Sequence, residues 1–462
     1  MESESNQSSK LRLFLVVIFA NLSSFTLGTC IAWPSPIMPK LRDKTDDSPI
    51  DFAIDKAQEG WIYSLISVGA GVSALIAGPL ADLIGRRFTM MIGSCMFTLA
   101  YATMMIADTI EIIYVGRILE GLGAGCTMTV VPMYVGEIST KESRGSTLSL
   151  MMLYMTLGML FVYCIGPFTT YHVMQVCCIS IPSLTFWGYF LLPESPYYLV
   201  RKDMVDKALH SLQIIRGQSE EIVKKELPAI QESIDQIRGM KKGRCRDVLS
   251  NKGNRRALII VLGMMVFQQF SGVVIIIINA HTIFMKAHVC FGAAVSAIIV
   301  GIVQVCSSVT LQCIVDLWKR RTLLRLSSIG MGLSQFTLGT FFYIDMCCDA
   351  SHIRWIPLLA FIVFQLSYRI GFGPLPFTFL GELFPQNIKS IAATSVTITC
   401  WGLGFFMGRF YPLFDAFFGT HIVFWTFSMF CFLAFPFAQF VVIETHGLSL
   451  NEIQERLQKL NQ

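Results

Sequence analysis

The chain has 462 residues, of which 53% are hydrophobic and only 15% are charged, and its formal net charge is +5. Soluble globular proteins carry about 25% charged residues, so this composition excludes that class and indicates a membrane protein. The sequence has no basic arm with interleaved aromatic residues, so the positive charge does not indicate a nucleic-acid partner.

Long apolar runs recur along the whole chain. A transmembrane helix needs about 20 mostly apolar residues to cross a hydrocarbon core of about 30 Å. The runs predict twelve such helices, at residues 12–33, 61–81, 88–107, 112–135, 146–166, 171–192, 256–279, 290–315, 322–344, 355–380, 390–411 and 421–443. Because the runs are continuous and do not alternate, they exclude a β-barrel. We therefore predict an all-α membrane protein with twelve transmembrane helices.

The order of these runs predicts the domain organisation. Residues 11–193 hold the first six spans and residues 256–443 hold the last six. Residues 194–255 between them are charged and follow a helical period, which predicts a helical linker. Residues 1–10 and 444–462 are tails, and the periodicity of the second predicts an amphipathic helix with one apolar face. Roughly 27 of the 36 Lys and Arg residues fall on the side of the tails and the linker, so the positive-inside rule predicts that both termini are cytosolic.

Two short charged turns each connect a pair of apolar runs. The first, GPLADLIGRR at residues 78–87, connects spans two and three, and a second version, DLWKRR at residues 316–321, connects spans eight and nine. A charged hairpin that occurs twice indicates a duplicated membrane protein. Between the two turns, span four begins with GRILEGLGAG at residues 116–125, whose glycines favour close approach of neighbouring helices.

The second half carries polar residues inside its spans. Gln268 and Gln269 are neighbours in span seven, and such residues need partners or a water-filled cavity. In span ten, two glycines and two prolines within residues 371–376 break the helix at mid-membrane, a feature of transporter substrate sites. Arg369 lies just before this break. A functional role and a structural ion pair are both open for this cation.

The sequence gives no sign of a metal site or of catalysis. The fourteen cysteines are scattered, mostly inside predicted helices, and lack the CxxC spacing of zinc sites. No nucleophile–base pair or nucleotide-binding loop stands out. We therefore predict no metal, no other cofactor and no enzyme activity.

The motifs together resemble those of one family. They are GPLADLIGRR, GRILEGLGAG, VPMYVGEIS, PESPYYL, QQFSG, DLWKRR, GPLPF, GELFP and ETHGLSLNEI. In this order and spacing the chain is similar to the sugar porters of the major facilitator superfamily, in particular to facilitative glucose transporters and insect trehalose transporters. The resemblance implies two six-helix bundles, each of two inverted repeats, that rock about a central site.

The resemblance also implies which residues bind the sugar. The paired glutamines of the family are here Gln268 and Gln269. Further pocket positions fall on Met152, Gln304, Phe377 and Trp401, on Asn279 where an aromatic residue is common, and on Val274 and Gly404 where the family has asparagine. The pocket thus lacks several hydrogen-bonding groups of the family, and a site that recognises hydroxyl groups discriminates through those groups.

Charged positions of the family form an inner latch, a set of acid–base pairs that closes the cytosolic side and biases a two-state equilibrium. In the first half the resemblance implies Asp82, Arg86, Arg87, Glu137, Arg144 and Glu194. In the second half it implies Asp316, Arg320, Arg321, Glu382 and Glu444. The second hairpin departs further from the pattern, with Leu317 after the aspartate and Lys319 in place of a glycine, so we expect its latch to be weaker.

These expectations point to a facilitative sugar transporter. Proton-driven members of the family carry a carboxylate in helix one, where this chain has Cys30, so the resemblance favours uniport of trehalose or a hexose. The depleted pocket leaves two alternatives, a transporter-like sugar sensor or accessory protein and a carrier of a less polar substrate. We expect a monomeric plasma-membrane protein whose partners are a sugar and the lipid bilayer.

Overall fold

The computed structural model describes residues 2–43, 48–50, 52–140, 144–239, 251–315, 318–448 and 450–459. Within these residues the chain forms helices, turns and loops and contains no strand. This is the expected outcome for a chain in lipid, where a helix satisfies every backbone hydrogen bond inside its own segment.

The helices are numbered here in chain order. Before residue 240 they are α1 Glu2–Ala32, α2 Pro34–Arg42, α3 Lys56–Ile84, α4 Arg86–Met105, α5 Ile110–Ile138, α6 Arg144–Ile165, α7 Tyr171–Gly188, α8 Pro196–Arg201, α9 Val205–Arg216, α10 Glu220–Val223 and α11 Leu227–Gly239. After it they are α12 Lys252–Phe270, α13 Val273–Ile278, α14 Ala280–Lys286, α15 Ala293–Val315, α16 Arg320–Cys347, α17 Ile356–Ile370, α18 Leu375–Leu383, α19 Gln386–Phe418, α20 Thr420–Phe440 and α21 Leu450–Lys459.

Eleven segments of the described residues are long and apolar enough to cross a membrane, and they match eleven of the twelve predicted spans. The remaining span, the ninth, coincides with α16, a helix of 28 residues that is less apolar than the others. Spans one, seven and ten each consist of successive helices, α1 with α2, α12 with α13, and α17 with α18. The prediction of an all-α protein with twelve transmembrane helices is confirmed.

By their contacts the residues fall into two compact units. The first contains Met1–Cys30, Val68–Gly158 and His172–Lys241. The second contains Ile31–Ser67, Met159–Tyr171 and Lys242–Gln462, so it combines the ends of spans one, two and five with the second half of the chain. The predicted bundle boundaries at residues 193 and 256 remain predictions.

Glycines allow close packing of helices in the first unit. A Cβ atom at Gly125 of α5 would lie 2.3 Å from the carbonyl oxygen of Ala70 in α3, and one at Gly158 of α6 would lie 2.0 Å from that of Phe25 in α1. No side chain fits at such distances. The glycines of the 116–125 run therefore serve the close helix approach that membrane interfaces use.

The described part of the linker forms four short helices, α8 to α11, as its periodicity predicts. Ser195 caps α8 by accepting a hydrogen bond from the amide of Tyr198, and α9 ends at Gly217, whose φ of 64° suits a left-handed cap. Apolar residues of α8, α9 and α11 share a small core that includes Leu199, Leu212 and Ile230. Residues 240–250 lie outside the described part of the chain.

The C-terminal tail is helical as well. In α21, Ile453 and Leu457 are buried, as the predicted apolar face requires. Gln454 donates to the carbonyl of Leu383 at 2.5 Å, and Arg256 donates to the carbonyl of Leu457 at 2.7 Å. The tail is thereby tied to the N-terminal end of α12 and to the C-terminal end of α18 in the second unit.

Candidate functional site

The break in span ten is held by Gln268. Helix α17 ends at Ile370 and α18 begins at Leu375. Between them the carbonyls of Gly371 and Pro374 accept from backbone amides of α18, whereas those of Phe372 and Gly373 face a side chain. The Gln268 side-chain amide donates to the carbonyl of Phe372 at 2.7 Å and lies 3.2 Å from that of Gly373. It also lies 3.2 Å from the hydroxyl of Tyr368. Gln268 therefore connects span seven to the unwound part of span ten, and its NH₂ group is already engaged.

Among the described residues, no donor reaches the side-chain oxygens of Gln269 and Gln304. The NH₂ group of Gln269 donates to the sulfur of Cys400 at 3.2 Å, while its oxygen is buried without a partner. Gln304 in α15 is 1% exposed, and its side-chain oxygen also lacks a partner. Buried polar atoms in folded proteins are normally hydrogen-bonded. These two oxygens are therefore the atoms of the predicted pocket that are best suited to accept hydrogen bonds from hydroxyl groups.

Asn279 is bound to a cluster at the predicted outer end. The hydroxyl of Tyr63 lies 2.6 Å from the Asn279 side-chain oxygen and 2.8 Å from a Glu59 oxygen, and it donates to one of them at a time. Glu59 is 2% exposed and pairs with Arg42 at 2.5 Å and with Lys56 at 3.1 Å. The sequence analysis did not identify this cluster, although Glu59 and Tyr63 are one helical turn apart and so share a face of α3.

The other predicted pocket positions have varied environments. Phe377 in α18 is 38% exposed, and Trp401 in α19 and Val274 in α13 are partly buried. A Cβ atom at Gly404 would lie 3.3 Å from the hydroxyl of Ser67, so this position is closely packed. Met152 is partly buried in α6 and belongs to the first unit, whereas the other positions belong to the second. The assignment of the pocket positions to sugar binding remains a prediction.

The latch residues of the first half form one network within the first unit. Arg86 is 1% exposed and donates to Glu137 at 2.9 to 3.2 Å, and it lies 3.0 Å from Asp82. The backbone amides of Arg86 and Arg87 donate to Glu194 at 2.9 and 3.2 Å, and Ser195 donates to Glu137. These contacts join α4, α5 and the start of the linker.

Burial raises the pKa of Glu194 above its ordinary range, and the backbone amides of Ser195, Arg87 and Arg86 oppose that shift by bonding to the charged form. The carboxylate accepts at the N-terminal end of α4, where the helix dipole favours a negative charge. Glu194 therefore stabilises the end of α4 as an acceptor for backbone amides.

The described latch residues of the second half are also in contact with one another. The Arg320 guanidinium lies 3.6 Å from Glu382, and Thr445 donates to Glu382 at 2.5 Å. The backbone amides of Arg320 and Arg321 donate to Glu444 at 3.0 and 3.2 Å. This arrangement repeats the amide–carboxylate bonds of the first half, with a longer ion pair. The side chain of Arg144 and the whole of Asp316 lie outside the described residues.

The structure also reveals a buried ion pair in span four. Arg117 and Glu120 are 1% and 0% exposed and form a salt bridge. Arg117 donates to the carbonyl of Cys30 in α1 at 3.1 Å. Cys30 lies 3.3 Å from the hydroxyl of Tyr101. The sequence analysis did not predict this ion pair. Two opposite charges three residues apart inside the 116–125 run indicate it, but the run was interpreted through its glycines.

Comparisons with known proteins agree on one family. A family model described as "Sugar (and other) transporter" matches residues 18–457. The chain is 32% identical to the facilitated trehalose transporter Tret1 of Apis mellifera ligustica over 443 residues, covering 96% of this chain and 87% of that protein. It is 29% identical to the protein of the same name from Culex quinquefasciatus over 444 residues, covering 96% of this chain and 85% of that one.

Solved structures show the same fold. The partially occluded inward-open conformation of the xylose transporter XylE from E. coli superposes with a TM-score of 0.79 at 21% identity, covering 95% of this chain and 99% of that one. Its inward-open conformation gives the same TM-score and covers 96% of this chain and 99% of that one.

Proposed function

The chain belongs to the sugar transporter family of the major facilitator superfamily, and from this membership we propose that it carries trehalose or a hexose across the membrane by facilitated diffusion. It is an integral membrane protein with a sugar substrate, and its relatives are transporters rather than enzymes. We further propose that it acts as a monomer in the plasma membrane with both termini in the cytosol.

The observation that carries the proposal is the pair of free acceptors on Gln269 and Gln304. A sugar hydroxyl that donates to a buried, unpartnered oxygen supplies the hydrogen bond that the oxygen lacks, and each such bond is worth about 1 kcal/mol. Both residues lie in spans of the second unit, as does the break in span ten. Broken helices line substrate sites in secondary transporters. The latch networks of the two halves are consistent with alternating access.

The test is uptake of labelled trehalose and of labelled glucose into vesicles that contain the purified protein. We expect saturable uptake of at least one of the two sugars, with a raised half-saturation constant in a Gln269→Leu, Gln304→Leu double variant. A Gln236→Leu variant in the exposed face of α11 is the control and should behave as the unchanged protein. Absence of uptake for both sugars by a correctly folded protein would contradict the proposal.

The alternative function is a sugar sensor or accessory protein with little transport. It is favoured by Val274 and Gly404, which stand where the family has asparagine and so remove two of its hydrogen-bonding groups. The same vesicle preparation separates the two functions when sugar binding is measured alongside uptake. Binding without uptake identifies the sensor, and binding with uptake identifies the transporter.

The energy source forms a separate prediction. Because α1 carries no carboxylate in its membrane span, we expect sugar uptake to be unchanged by a protonophore. The measurement is uptake with and without an imposed proton gradient. The buried Arg117–Glu120 pair supports the opposite outcome, since ionisable residues inside membrane spans mark proton relays in transporters. A gradient-dependent accumulation that Glu120→Gln abolishes would show proton-coupled transport and end the facilitated-diffusion proposal.

A further inference from the structure

Arg369 is a cation inside a membrane span, and no partner for it lies in the part of the chain that the structure describes. It lies near the middle of the span Ser351–Leu383, one residue before the end of α17. Its Nε atom is buried, and its side chain makes no hydrogen bond or ion pair with any residue that the structure describes. An uncompensated charge at this depth is costly, and a residue of this kind marks a functional site.

No carboxylate is placed to neutralise Arg369. Helix α17 is packed against α12, α14, α15 and α16 through side-chain or backbone contacts. The first three of these helices contain no Asp or Glu. Helix α16 contains Asp345, near its C-terminal end, where the chain turns towards the start of α17. Arg369 is thirteen residues along α17 from Ile356, or about 20 Å at the rise of an α-helix, so Asp345 is remote from it.

The remaining membrane carboxylates of the second unit have other partners. Asp415 pairs with Lys286 at 2.6 Å, Glu382 lies beside Arg320 and Thr445, and Glu59 pairs with Arg42 and Lys56. An intramolecular counter-ion for Arg369 is therefore missing from the described part of this unit. An anion from outside the chain would supply the negative charge that the described residues of this unit do not.

A second donor lies beside Arg369 on the same helix face. Gln365 is one turn earlier in α17, is 1% exposed, and its NH₂ group is buried without an acceptor. Residues four apart in a helix are neighbours on its surface. The exposed apolar residues of α17, Leu359, Val363 and Leu366, form a stripe that lies about a quarter turn away from Arg369. The pair thus lies off the lipid-facing stripe.

The donors match a carboxylate, and a nearby acceptor matches a hydroxyl. A guanidinium presents a planar fork that binds both oxygens of a carboxylate, and each oxygen has a further lone pair for an amide donor such as Gln365. Helix α15, which carries the unpartnered oxygen of Gln304, packs on α17. A ligand with one carboxylate and several hydroxyl groups would satisfy the guanidinium, the amide and this oxygen.

We propose that Arg369 and Gln365 form an anion-binding subsite of the transport pathway and that the substrates of this protein include a sugar carrying a carboxylate, of the hexuronate class. The inference rests on the proposed transport of a sugar and specifies its chemical class. It assigns a role to the cation in span ten that neither the latch networks nor the glutamine pocket uses.

The test measures binding of glucuronate and of glucose to the purified protein in detergent by titration calorimetry at neutral pH. We expect Arg369→Gln to weaken glucuronate binding at least tenfold and to change glucose binding less than threefold. Arg369→Lys keeps the charge but loses the fork, so it should retain part of the affinity. Arg354→Gln, in the loop before α17, is the matched control and should bind glucuronate as the unchanged protein does.

A Gln365→Leu variant provides a second test, because it removes the amide donor and keeps the charge of Arg369. We expect it also to weaken glucuronate binding. Thermal unfolding of each variant checks that it is folded. Equal glucuronate affinity in the unchanged protein, Arg369→Gln and Gln365→Leu would overturn the inference. So would glucose binding that glucuronate does not compete with, or glucose binding that requires chloride, since an inorganic anion would then be the counter-ion.

The binding measurement separates this inference from the proposed transport. If glucuronate binds through Arg369 but neither it nor glucose enters vesicles, the transport proposal fails and the anion subsite stands. If glucose enters vesicles normally and glucuronate neither binds nor competes, the anion subsite fails and transport stands.

Discussion

Replacing Arg86 by alanine is expected to lower sugar transport at least tenfold while leaving membrane insertion intact. Arg86 is 1% exposed, forms salt bridges with Glu137 and Asp82, and donates a hydrogen bond to the carbonyl of Ala81. Its loss leaves Glu137 without its cation in a partly buried position, and breaking a fully buried pair costs about 3–5 kcal/mol. Because 16% of the Glu137 side chain is exposed, we expect a value near the lower end of that range. Flux, thermal unfolding and cysteine accessibility of the loops are the measurements.

The matched control is Arg201→Gln. Arg201 also pairs with Asp82, at 2.7 Å, but both side chains are well exposed, at 33% and 49%. Exposed pairs contribute about 0–1 kcal/mol, and the other Lys and Arg residues on the predicted cytosolic side still direct insertion. We therefore expect nearly unchanged flux for this variant. If Arg86→Ala were as active and as stable as Arg201→Gln, residues 78–87 would be a topology signal without a latch.

Gln268→Ala is expected to lower the maximal rate of transport at least tenfold and to lower thermal stability. The variant leaves the carbonyls of Phe372 and Gly373 without the donor that they have in the break of span ten. A buried group left unsatisfied costs about 1–3 kcal/mol, and the geometry of the break depends on this bond. The effect should therefore appear in the maximal rate and in the unfolding temperature, with expression at the surface reduced less than flux.

The neighbouring glutamine provides the comparison. Gln269 keeps a free oxygen and bonds only the sulfur of Cys400, so Gln269→Ala should raise the half-saturation constant and leave the unfolding temperature nearly unchanged. Unchanged half-saturation and maximal rate in Gln268→Ala would show that span ten holds its break without this residue and would remove Gln268 from the site.

The paired glutamines show what can be predicted from the sequence and what cannot. Their position in an apolar span predicts that both need polar partners, and the family resemblance assigns both to the sugar. The contacts separate them, because Gln268 faces unwound backbone whereas Gln269 faces a thiol. Two adjacent residues on a helix point about 100° apart, so the neighbouring helices, which the sequence does not position, decide what each one meets.

The sequence by itself determined the twelve spans, the helical linker, the amphipathic tail and the break in span ten. Hydrophobic length and the backbone chemistry of Gly and Pro are local properties, and lipid leaves a chain few alternatives to helix. The tertiary structure decided the partners of the charged and polar side chains. It paired Glu120 with Arg117 beside α1, tied Asn279 to Tyr63, and left Arg369 without a counter-ion among the described residues. These outcomes depend on contacts between residues far apart in sequence, and only the packing of the helices sets such contacts.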